Sequence, residues 1–206
     1  MPRTFAPDSV TPDDALARLR EGNRRFVRGD GNAVRRWQPH LVDGQQPFAV
    51  ILGCADSRTP AEYVFDQGLG DLFVIRVAGN IVAPSLTGSV EFAASQFGTR
   101  LVVVMGHTQC GAVRATVRSL THEDGPDTSN QKSIVERIAP HLQGMLETTM
   151  GDEERMARGV RINALASASE LRSSSELLHK LVEKGRVRIV AAVYDLATGV
   201  VEFLED

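Results

Sequence analysis

Apolar and polar positions along this 206-residue chain switch repeatedly between a helical period and short continuous apolar runs. Ala15, Leu16, Leu19, Phe26 and Val27 recur at helical spacing and give one apolar face. Thr11 is a good N-cap, Pro12 suits the first helical position, and Asp13 and Asp14 favour the positive helix end. A helical arm is therefore expected at about 12–28. Phe48 to Leu52 is wholly apolar, the pattern of a strand covered on both faces. Leu72 to Val77, Leu101 to Met105 (ended by Gly106) and Val187 to Tyr194 repeat that signal.

Helical signals lie between these runs. Thr59, Pro60 and Glu62 read as a cap, a first position and a capping-box partner. Val90, Ala93, Ala94 and Phe97 share a helix face, and Ala112 to Leu120 continues as a helix after the third strand. Two longer helices are expected, roughly Lys132 to Met150 with a break or restart at Pro140, and roughly Glu153 to Leu171. Ser173 and Glu176 form a second capping-box pair ahead of Leu177, Leu178, Leu181 and Val182. Ala78, Gly79 and Asn80 mark a sharp turn, and Ala197, Thr198 and Gly199 turn the chain into Val200 to Leu204. This alternation predicts an α/β fold: a central, mostly parallel sheet flanked by helices, with an N-terminal helical extension and a C-terminal edge hairpin. No internal repeat or linker divides it, so 1–206 reads as one domain. The arm's apolar face must pack on the domain body or on another subunit.

Composition narrows the function classes. The apolar fraction is 42% and the charged fraction 24%, ordinary for a globular protein and wrong for a disordered or collagenous one. Net charge is -3, and although Arg18 to Arg36 is locally basic, acidic residues are interspersed and aromatics are sparse, which disfavours nucleic acid. No secretory signal is visible in residues 1–20, and no run approaches the roughly 20 apolar residues of a membrane helix. A cytoplasmic protein is the default expectation. In a reducing cytoplasm a disulfide between the only two cysteines, Cys54 and Cys110, would be unusual.

Both cysteines follow predicted strand ends. Cys54-Ala55-Asp56-Ser57-Arg58 comes directly after Gly53, and His107-Thr108-Gln109-Cys110 directly after Gly106. Ligand-binding groups of open α/β sheets converge beyond strand C-termini. Two thiolates and an imidazole from Cys54, His107 and Cys110 make a natural zinc set, with Asp56 or water as the fourth ligand. Silent core thiols and a redox pair are the competing readings, and neither accounts for the accompanying histidine.

The chain resembles the beta-class carbonic anhydrases. The resemblance starts at Glu21-Gly22-Asn23-Arg24-Arg25-Phe26, becomes specific at Cys54-Ala55-Asp56-Ser57-Arg58, and runs through Gly70-Asp71-Leu72-Phe73-Val74 and Arg76-Val77-Ala78-Gly79-Asn80. It returns at Gly106-His107-Thr108-Gln109-Cys110-Gly111 and at Tyr194-Asp195-Leu196-Ala197-Thr198-Gly199. It implies one zinc ion per subunit on Cys54, His107 and Cys110, with Asp56 either a fourth ligand in a closed state or the partner of Arg58 in an open one. It further implies reversible hydration of carbon dioxide to bicarbonate and a proton by zinc-bound hydroxide. Gln45 and the Gly111 amide would contact substrate, and a homodimer or dimer of dimers would form, its N-terminal helix commonly reaching the neighbouring subunit.

Two other activities suit the same residues. Carbon disulfide or carbonyl sulfide could be hydrolysed by the same nucleophile, and four permanently filled coordination positions would instead make a noncatalytic zinc-stabilised binding protein. Arg58 argues against the latter, because a guanidinium fork can draw Asp56 off the metal. Some bacterial members also use a tryptophan just upstream of the first metal cysteine in a noncatalytic bicarbonate site. Ile51 stands there, although Arg76 and Tyr194 match its companions and Trp37 lies too far upstream to substitute. That bicarbonate-regulated closure is not expected, whereas closure by Asp56 at low pH is compatible with the sequence.

Overall fold

The computed structural model describes residues 10–32, 39–121, 125–145 and 150–204. Arg35, Arg36, Trp37 and His122, and the end of the helix expected to reach Met150 (residues 146–149), lie outside the described residues. Five strands form one sheet: β1 (Ala49–Gly53), β2 (Leu72–Arg76), β3 (Leu101–His107), β4 (Arg188–Tyr194) and β5 (Val201–Leu204), in the order β2-β1-β3-β4-β5. The first four run parallel and β5 returns antiparallel to β4. The predicted edge hairpin is thus present. Its turn is held by Asp195, whose carboxylate accepts the amides of Ala197 and Thr198, both at 2.8 Å.

Seven α-helices accompany the sheet among the described residues: α1 (Pro12–Arg28), α2 (Ala61–Val64), α3 (Pro84–Gln96), α4 (Gly111–Leu120), α5 (Ser129–Leu142), α6 (Asp152–Ser173) and α7 (Glu176–Glu183). Strand alternation separates two cores. Val50 and Leu52 of β1 face a cluster with Val90 (α3), Val113 (α4), Ile138 (α5), Ala164 (α6) and Leu178 (α7). Ala49 and Ile51 face the other way, toward Leu16 and Leu19 of α1 and Val64 of α2. Both faces of β1 are covered, which is why it reads as an unbroken apolar run. None of the described helices is long and apolar enough to cross a membrane.

Of the two packings open to its apolar face, α1 makes the first: it docks on its own chain. Asn23, 5% exposed, donates through Nδ2 to the carbonyls of Val64 at 3.0 Å and Gly199 at 2.9 Å, and its Oδ1 accepts the Val201 amide at 2.9 Å. Gly22 is required beside it, because a Cβ there would lie 1.8 Å from the Phe65 carbonyl oxygen. Arg25 adds an ion pair to buried Asp66, while Val27, at the end of the predicted stripe, is exposed.

Four local readings are corrected. The Thr59 hydroxyl does not cap a helix: α2 starts at Ala61, and Thr59 Oγ1 donates to the carbonyls of Cys54 (3.2 Å) and Asp56 (3.0 Å). Ser175 rather than Ser173 caps α7, accepting the Leu178 amide at 3.1 Å, because α6 continues through Ser173. β3 runs past Gly106 to His107, since β4 is long enough to pair Gly106 with Val193 and His107 with Tyr194. Pro140 does not break α5.

Candidate metal centre

β2 lies on one side of β1 and β3 on the other, so the chain reverses its direction of sheet growth between β1 and β3. Loops leaving the C-termini of two such strands diverge and open a crevice. Cys54 follows β1, His107 ends β3, and Cys110 is the N-cap residue of α4. Their Sγ, ring nitrogen and Sγ atoms all lie within 4.8 Å of one another, and all three residues are buried. The three side chains that sequence spacing nominated are therefore brought together.

The imidazole is set up as a donor to a metal. His107 Nδ1 lies 2.9 Å from the Thr108 carbonyl oxygen, and a carbonyl can only accept, so Nδ1 carries the proton. Nε2 is then a bare lone pair, buried and without a hydrogen-bond partner. An orphaned ring nitrogen facing two thiols is costly unless something binds it. Two soft sulfurs and one imidazole, with the imidazole oriented by its second nitrogen, fit zinc.

The thiols are electrostatically linked. Hydrogen bonding from Cys110 pulls the Cys54 thiol well below its ordinary range, helped by His107 and by the Gly79 amide, which lies 3.4 Å from Cys54 Sγ. The same contact with Cys54, together with burial, pushes Cys110 up. The pair therefore gives up one proton readily and holds the second. A divalent cation at the site reverses that resistance by favouring both thiolates.

Asp56 stands beside this group and is not part of it. Arg58 Nε donates to Asp56 Oδ1 at 2.9 Å and Arg58 Nη2 to Oδ2 at 2.7 Å, a two-pronged pair completed by the Arg58 amide on Oδ1 at 3.0 Å. This guanidinium holds the Asp56 carboxyl well below the usual carboxylate range. Asp56 Oδ2 remains 3.9 Å from His107 Nε2, near enough to face the site and too far to hydrogen-bond it.

The two expected substrate contacts fare differently. Gly111 opens α4 directly after Cys110, so its amide belongs to a helix N-terminus beside the cluster. Gln45 is exposed in the loop before β1. That loop belongs to the other end of the sheet: the Phe48 amide bonds the Asp71 carbonyl just ahead of β2, and Leu41 packs near Gly70. β1 alone spans about 16 Å at roughly 3.3 Å per residue. Gln45 is therefore not brought to Cys54 within one chain.

The sequence assigns Arg76 only to the companions of a tryptophan in whose place Ile51 stands and gives Thr59 and Gly79 no site role, yet all three shape the metal loop. Arg76 Nε donates to the Cys54 carbonyl at 3.1 Å and its Nη2 to the Asp56 carbonyl, so one guanidinium braces both ends of Cys54-Ala55-Asp56. The Thr59 hydroxyl meets the same two carbonyls. Arg76 and Gly79 stood in a matched motif and could have been flagged there; Thr59 carried a capping signal that hid its use. Ile51 is fully buried in the apolar cluster that also contains Tyr194.

A buried group of two cysteines and a histidine at the switch point of a mostly parallel sheet could hold a metal ion, and its donor set suits zinc. A family model described as carbonic anhydrase matches residues 49–201. Carbonic anhydrase 2 of Mycobacterium tuberculosis is 36% identical over 195 residues, covering 93% of this chain and 92% of that protein. The solved beta-carbonic anhydrase CcaA superposes with a TM-score of 0.71 at 25% identity, over 92% of this chain and 95% of that one. One of two tetrameric beta-carbonic anhydrases from the ascomycete Sordaria macrospora gives a TM-score of 0.72 at 22% identity, over 82% and 85%. The chain belongs to the beta-class carbonic anhydrase family of enzymes.

Proposed function

We propose that this chain catalyses the reversible hydration of carbon dioxide to bicarbonate and a proton, with one zinc ion per subunit held by Cys54 Sγ, His107 Nε2 and Cys110 Sγ. The observation that carries this reading is the Asp56–Arg58 pair beside a three-donor group. With its carboxylate engaged by Arg58, Asp56 is kept from joining the three donors, so a zinc ion held by them would be free to take water. When bound, zinc supplies the Lewis acidity that brings water toward deprotonation near neutral pH. Asp56, ionised and fixed, accepts a hydrogen bond from the attacking water and aims its lone pair at the carbon. As the new C–O bond forms, one C=O electron pair moves onto oxygen; the position of Gly111 at the start of α4, next to Cys110, supports its amide as a donor to that developing charge. The water's proton leaves to solvent.

The same pairing favours an enzyme over a closed zinc-stabilised binding protein, which needs Asp56 on the metal. Substrate contact by Gln45 requires a second copy of the chain, and a homodimer or dimer of dimers is supported by the tetrameric beta-carbonic anhydrase that shares this fold. Two ligand thiols that must stay reduced suit a cytoplasmic setting.

Stopped-flow carbon dioxide hydration with parallel zinc analysis, across pH, tests the reading. Activity rises from neutral to alkaline pH in the wild type. Cys110→Ser loses both metal and activity, whereas Asp56→Ala retains more metal and loses efficient turnover. Comparable high activity in all three proteins contradicts it.

A further inference from the structure

Asn163 lies on α6, 1% exposed, between the apolar residues Val160 and Ala164 of the large core. A buried amide is costly unless both of its ends are paired. Here Nδ2 donates to the Gly79 carbonyl at 2.8 Å, and Oδ1 faces His141 Nδ1 at 3.4 Å. Because a carbonyl can only accept, the amide's NH2 end must point to Gly79.

Gly79 is the residue whose amide meets the metal site. It holds φ at +71° within the Ala78–Asn80 turn, and its N–H donates to Cys54 Sγ at 3.4 Å. A Cβ at Gly79 would stand 2.7 Å from Ile138 Cδ1 and 3.0 Å from Ala112 Cβ. The turn is thus wedged against α4 and α5 and tied to α6 by Asn163. The carbonyl that Asn163 grips and the amide that meets sulfur flank a single Cα. The two groups lie in adjacent peptide planes joined by the φ and ψ of Gly79, and with those dihedrals held by the wedged turn, gripping the carbonyl also restrains the direction of the amide.

We infer that Asn163 is a positioning residue for the metal centre: through Gly79 it aims a backbone N–H at Cys54 Sγ and so sets how much charge that sulfur passes to the metal. The inference rests on Cys54 being a ligand, as proposed above. A hydrogen bond to a ligating sulfur withdraws charge from it, stabilising the thiolate and leaving the ion a stronger Lewis acid; outer contacts of this kind tune metal sites. His141 acts one step further out, holding the Asn163 amide in its donating orientation. The rival explanation is mechanical, with Asn163 merely stiffening α6 against the turn.

Cobalt(II)-loaded protein separates the two. The readouts are the thiolate-to-cobalt charge-transfer absorption and zinc affinity, the latter by competition with a chromophoric chelator. Asn163→Leu keeps the side-chain volume and removes the donor; its charge-transfer band shifts and its zinc affinity falls about 10- to 100-fold. His141→Leu shifts the same band in the same direction by less. Leu171→Ala, fully buried two turns further along α6, loosens the helix and leaves the band in place. A wild type that takes up neither zinc nor cobalt sinks the metal-centre reading itself. A wild type that loads normally while Asn163→Leu matches it in band and affinity overturns only the role of Asn163. An equal band shift in Leu171→Ala also overturns it. If Asn163→Leu does not fold, an unchanged band in His141→Leu is the overturning result.

Discussion

At Arg58, one guanidinium meets both oxygens of one carboxylate, and the charge state of Asp56 follows from that contact. Its folded-state pKa is depressed, so the pairing is fully present above the ordinary carboxylate range and is lost only as pH falls through the lowered value. Asp56 is therefore ionised wherever hydration is measured near neutrality, and any rise in activity toward alkaline pH belongs to another group. Removing the guanidinium lets the Asp56 pKa climb toward an ordinary value still below neutrality. The loss is then one of position. Arg58→Leu is predicted to lower hydration about a hundredfold at each pH between about 7 and 9 with zinc content unchanged, since small misplacements at a reacting centre cost that much. Stopped-flow rates beside metal analysis check it; a rate loss that follows zinc loss would make Arg58 a support of the ligands instead. The three donors, Cys54, His107 and Cys110, were legible from sequence because each follows or ends a strand signal. Thr59, Arg76 and Asn163 were not, because their partners are backbone carbonyls far along the chain or hidden under a competing capping signal.

Among the elements, α1 shows where periodicity stops informing. Thr11, Pro12 and the spacing of Ala15, Leu16 and Leu19 define the helix and its buried face, and the structure has that helix at Pro12–Arg28. Spacing names a face and not the surface that covers it. What fixes the docking is Asn23, whose three bonds reach Val64, Gly199 and Val201. Asn23→Leu leaves two carbonyls and one amide without their partner, and at roughly 1–3 kcal/mol per stranded buried group the expected destabilisation is about 3 kcal/mol after partial rehydration. Urea denaturation measures it. Zinc content should be unchanged, because α1 packs on the sheet face opposite α4 and α6; a change of less than about 0.5 kcal/mol would remove Asn23 from the docking account. Strand ends were misjudged for a related reason: β3 extends to His107 because β4 pairs with it there, and a strand's length depends on its neighbour as much as on its own residues.

Across the whole molecule, one topological fact places the chemistry. Sheet growth reverses between β1 and β3, so the loops after both strands diverge and leave a crevice in which residues separated by about half a hundred positions form one cluster. The class of fold was readable from alternating strand and helix signals, whereas strand order was not, since it depends on which crossovers the helices make. Gln45 shows the reach of that topology: it belongs to the opposite end of the sheet, and any part it plays in catalysis belongs to an assembly of chains. Zinc-edge X-ray absorption on the purified protein tests the metal centre most directly. Two sulfur neighbours at about 2.3 Å with the remaining neighbours nitrogen or oxygen at about 2.0–2.2 Å are predicted; a shell without sulfur would contradict the account.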